Sequence, residues 1–205
     1  MHLTKSKKWL ALVLLVVTWV FLTVFSCLEN PVHTTISMIG LQYPVAFGAL
    51  CILLFITLLS NFAILFYAHG YTNMFSRVIA SIGSFCIVIT AFFPTSKEGE
   101  GLPFIVHGTA AMAFFYLIML AMWLFLFRFR HAAPLYLAFL VLQTVVIVAT
   151  LVATLLLFVV FDGKYGRTGI TELVPLYLLF VIFLLGSFTP VLTCEERRNA
   201  DIAMK

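Results

Sequence analysis

FIVHGTAAMAFFYLIMLAMWLFLF, residues 104–127, contains no charged side chain and runs straight into Arg128 and Arg130. As a helix rising about 1.5 Å per residue, it is long enough to cross a bilayer hydrocarbon core of roughly 30 Å. A helix also satisfies its own backbone hydrogen bonds, which lipid cannot do for it. Five further apolar stretches meet the same test, at 9–27, 45–68, 76–94, 135–161 and 173–193. Alternating apolar and polar residues, the mark of a membrane barrel, are absent. The expected fold is therefore all-α: one polytopic bundle of six transmembrane helices forming a single domain over 1–205.

Composition agrees. The chain has 205 residues, 63% of them hydrophobic and 10% charged, with a mean hydropathy of +1.15. Soluble domains carry about 25% charged residues. So few polar side chains leave too little to coat a water-soluble surface. The basic residues are not clustered on a soluble face, so nucleic acid is excluded as a partner. The expected partners are membrane lipids, another membrane protein or a second copy of the chain.

Charge distribution sets the expected orientation. With the N-terminus inside, the cytoplasmic segments hold Lys5, Lys7, Lys8, Arg77, Arg128, Arg130, Arg197, Arg198 and Lys205. The other side holds only Lys97, Lys164 and Arg167. That bias predicts N-in/C-in. Lysines, an apolar run and VFSC at 24–27 also faintly resemble a lipidated signal at Cys27, but Phe25 is bulky there and a first span explains the same residues. The four cysteines, Cys27, Cys51, Cys86 and Cys194, show no metal or disulfide spacing.

No Asp, Glu, Lys or Arg falls in the middle of a predicted span, which argues against an ion-coupled transporter. Milder polar residues do occur there. Ser76, Ala80 and Ser84 recur every four residues beside Gly83, and Thr57, Ser60, Gln143, Thr144, Thr150 and Thr154 lie in other spans. Small residues let helices approach, and hydroxyls and amides bond across the contact. Asn61 and Gln143 are also candidates for lining a polar pocket, since an amide is costly to expose to lipid.

The candidate site lies at the outer boundary. His33 sits in the first loop and His107 opens the fourth span, with Glu29, Asn30, Ser37, Thr95, Glu98, Glu100, Asp162 and Glu172 on the same side. Pro94 ends the third span, so it and His107 bracket a compact turn. If the first loop folds over that turn, His33 and His107 meet. Imidazole with carboxylate suits zinc, making His33 and His107 candidate metal ligands. Ser37 or a metal-bound water is a candidate nucleophile. TTISMIGL, at the centre of the loop spanning 28–44, is expected as a short interfacial helix or a re-entrant turn. A haem pair is disfavoured, because His107 and His131 are about 36 Å apart along one helix. His69 and His131 belong to the cytoplasmic edge, and beyond the possible metal ion no cofactor is indicated.

Several elements together carry a family resemblance: ISMIG after the first span, FFP ending the third, and a histidine opening the fourth. The layout resembles the bacterial six-span family known as domain of unknown function 998. It is more distantly similar to the eukaryotic Frag1/DRAM/Sfk1 membrane proteins. The matching positions are His33, Ile36, Ser37, Gly40, Phe93, Pro94 and His107. Met38 and Ile39 stand where that family often has an acidic residue. The resemblance implies six spans and a bacterial plasma membrane, and it implies no reaction.

The leading expectation is a non-enzymatic membrane protein that binds a lipid or small apolar ligand or serves as a subunit of a membrane complex. A membrane-embedded, metal-dependent hydrolase or transferase with an outer-face site is one alternative. A transporter or substrate-capture subunit is the other.

Overall fold

The computed structural model describes residues 5–31, 33–93, 95, 101–159 and 169–188. Among the described residues there are seven helices and no strand: α1 (Lys5–Ser26), α2 (Ile36–Gln42), α3 (Pro44–Ala68), α4 (Met74–Phe92), α5 (Leu102–Phe129), α6 (Pro134–Val159) and α7 (Ile170–Phe188). Six of them, all but α2, are long and apolar enough to cross a membrane. The expected spans are thus found, with ends displaced by a few residues. The largest shifts are at α1, which begins at Lys5, and α7, which begins at Ile170. Local chemistry sets several ends. Pro44 and Pro103 sit in the first turns of α3 and α5, where a missing N–H costs nothing. Asn73 caps α4 by accepting from the Ser76 N–H at 3.2 Å.

Successive long helices run antiparallel, so α2 lies at one end of the bundle with the end of α4 and the starts of α5 and α7. Lys8, Arg77, Arg128 and Arg130 lie at the opposite end. The tightest seam joins α4 to α5. Ser76, Ala80, Gly83 and Ser84 are all buried on α4, as the four-residue spacing predicts. A Cβ on Gly83 would sit 3.0 Å from Leu117 Cβ and 3.1 Å from Ile118 Cγ1, so glycine is what allows this approach. Thr18 on α1 and Thr57 on α3, both fully buried, share a hydrogen bond of 2.6 Å.

The outside of the bundle is apolar. Val16, Val20 and Val24 on α1 and Val141, Val145, Val148 and Leu155 on α6 are exposed. Helix α6 buries chiefly Tyr136, Phe139, Leu140 and Gln143, a single stripe at helical spacing. A soluble protein would bury the remaining faces; facing lipid, they need no cover.

Candidate functional site

Loop 28–44 does contain a helix. Thr35 caps α2 by accepting from the Met38 N–H at 3.2 Å. Ile36 at its start donates its backbone N–H to Glu172 Oε2 at 2.8 Å, so a side chain from the first turn of α7 holds α2 in place. Gly169 makes this possible. A Cβ there would lie 2.8 Å from the Thr34 carbonyl oxygen and 3.2 Å from that of Pro31. At the other end of α2, Gly40 packs flat on the Phe47 ring, which a Cβ would approach to 2.6 Å.

So positioned, Ser37 meets His107. Ser37 Oγ lies 2.9 Å from Nε2 of the imidazole. Nδ1 lies 2.7 Å from the Phe93 carbonyl oxygen and 3.2 Å from that of Thr90. Carbonyls only accept, so Nδ1 carries the hydrogen, and in the neutral ring Nε2 accepts from the Ser37 hydroxyl. Phe93 is the C-cap of α4, whose carbonyl has no partner within its own helix; His107 supplies one. The ring is only 4% exposed, with Phe47 tilted beside it at 6.3 Å.

A cavity of about 30 Å³ adjoins Ser37. Ser37, Glu172, Thr90 and Cys51 supply its polar edge, and Leu22, Phe47, Leu50, Leu54 and Phe114 most of its wall. That volume admits one small polar group, such as a water or a carbonyl oxygen.

Ser37, rather than His33, is what the fold delivers to His107. His33 stays exposed in the turn before α2, its N–H donating to the Asn30 carbonyl. Among the described residues, no three His, Cys, Asp or Glu side chains gather where they could hold a metal ion. A metal on His107 Nε2 would have to displace the serine hydroxyl. Pro94, Glu98, Glu100 and Asp162 lie outside the described residues. Glu172 was legible in sequence only as one member of the outer-side group. Its signal was an acidic residue just before an apolar span, in a first turn that favours negative charge.

The two amides go elsewhere. Asn61 donates to the carbonyls of Thr57, at 2.8 Å, and Ala11, at 3.4 Å, linking α3 to α1 beside a cavity of about 10 Å³. Gln143 is fully buried, its amide nitrogen directed at the Met119 sulfur and its carbonyl oxygen without a partner. It does not line the cavity beside Asn61. At the end opposite α2, His69 Nδ1 donates to the Leu65 carbonyl at 2.8 Å, and Nε2 accepts from the Tyr136 hydroxyl at 2.7 Å.

Comparison with protein families, curated proteins and solved structures gives no match.

Proposed function

We propose that this chain is a multi-pass protein of a bacterial plasma membrane, N-in/C-in, that binds a lipid or other amphipathic molecule by one polar group at the Ser37–His107 pair. One observation carries this reading: a hydroxyl, hydrogen-bonded to an imidazole, on the edge of a mostly apolar cavity of about 30 Å³ that Glu172, Thr90 and Cys51 also line. The cavity is too small for a whole ligand. It suits a single hydroxyl or carbonyl, with the apolar remainder of the molecule left in the bilayer, where burial costs it nothing. The basic end formed by Lys8, Arg77, Arg128 and Arg130 supports the orientation, which puts α2 on the outer side.

Native mass spectrometry of the protein released from lipid nanodiscs tests this. The wild type should retain a discrete lipid-sized adduct. Ser37→Ala and His107→Ala should lose most of it while keeping the same helix content. Identical adduct patterns in all three proteins would sink the proposal.

A further inference from the structure

We infer that the same site carries out acyl transfer, with Ser37 as nucleophile and His107 as its general base, on the carboxylic ester of a membrane lipid. This rests on the lipid-binding reading, because the ester has to reach Ser37.

The geometry separates Ser37 from the hydroxyls that only bond back to their own helix. Ser60, Ser81 and Ser84 each donate to the carbonyl four residues back, and Thr90 to one three back. Such bonds are the ordinary way a helix quiets a hydroxyl in lipid. Ser37 Oγ is instead bonded to a ring nitrogen at 2.9 Å, within reach for proton transfer. The base is oriented in turn by a third group, the Phe93 carbonyl on Nδ1–H, which leaves the Nε2 lone pair aimed at the serine. A base fixed in that tautomer gains a proton at Nε2 without turning.

Depth and volume point to the substrate class. His107 lies five residues into α5, roughly 7–8 Å from its start. Ester carbonyls of glycerolipids lie at a similar depth, where headgroups give way to acyl chains. The adjoining cavity accepts one carbonyl oxygen or one water.

The steps balance without any other reagent than water. Ser37 Oγ forms a bond to the ester carbon as its proton passes to His107 Nε2. The ester C–O bond breaks, and the departing alcohol oxygen takes that proton, leaving acyl-Ser37. Water then gives a proton to Nε2 as its oxygen bonds to the acyl carbon. The acyl–Oγ bond breaks, Oγ recovers the proton, and a fatty acid leaves.

The test is labelling of the full chain in phosphatidylethanolamine/phosphatidylglycerol nanodiscs with a long-chain alkyl fluorophosphonate, read by peptide mass. One phosphonyl group should appear on the peptide holding Ser37, and none on Ser37→Ala. His107→Gln, which keeps polar atoms but takes up no proton, should label about 100-fold more slowly. In the wild type the rate should fall as acid protonates the imidazole, and Glu172→Gln, which removes the titratable carboxyl on the cavity, should keep that fall. That profile decides the matter if His107→Gln fails to fold. An unlabelled Ser37 in a protein that still holds its lipid adduct overturns the catalytic inference and leaves the binding reading standing. Loss of both label and adduct overturns both. A pH-independent rate, or a folded His107→Gln labelled as fast as wild type, also overturns the inference.

Discussion

His69 illustrates how a single side chain at the membrane edge is tuned by what surrounds it. It closes α3, with Phe125, Phe129 and Tyr136 packed edge-on around it. Burial holds its pKa below the usual 6.5, and the charge of Lys8 pushes the same way. The Leu65 carbonyl, which accepts from Nδ1–H, offsets part of this. The folded protein therefore binds this proton less readily than the unfolded chain. The associated stability is complete above about pH 6.5 and is lost as pH falls through the lower folded value. Melting temperature in detergent should drop between pH 7.5 and pH 5, and His69→Gln should flatten part of that slope. An unchanged slope in the variant would contradict the assignment. Sequence reading placed His69 at the cytoplasmic edge but had no means of finding Tyr136, because their contact joins residues 67 positions apart.

The seam between α4 and α5 belongs to whole helices. The repeat of Ser76, Ala80 and Ser84 beside Gly83 was readable, because helical periodicity alone puts these residues on one face. What Gly83 faces, Leu117 and Ile118 of α5, emerges only in the fold. Gly83→Val should force the helices apart against Leu117 Cβ, which cannot swing away, and cost about 1–3 kcal/mol. Thermal unfolding in a fixed detergent would measure it, and an unchanged midpoint would show that the seam is looser than its distances imply. Helix α2 is the opposite case. Its seven residues are too few to be stable alone. Glu172 and the Thr35 cap hold it where Ser37 can reach His107.

For the molecule as a whole, the exposed apolar faces imply a lipid surround. Val148, 51% exposed midway along α6, should tolerate Leu or Ile freely. Val148→Arg should raise the apparent free energy of inserting α6 by about 3–4 kcal/mol, measurable by glycosylation mapping of translocated loops. Insertion as efficient as wild type would mean that this face is not in lipid. Six long helices, their approximate ends and their all-α character were determined by residue order alone, because hydrophobic length and backbone self-satisfaction are properties of each segment taken by itself. The site was only half visible in that way. His107 stood out at the start of a span and Ser37 as a candidate nucleophile in the first loop, yet the expected partner of His107 was His33. Only the tertiary structure chose Ser37 and brought in Phe93 and Glu172. Hydrogen bonds between segments depend on which helix faces turn toward one another, and that is decided by packing of the whole bundle rather than by any one stretch of chain.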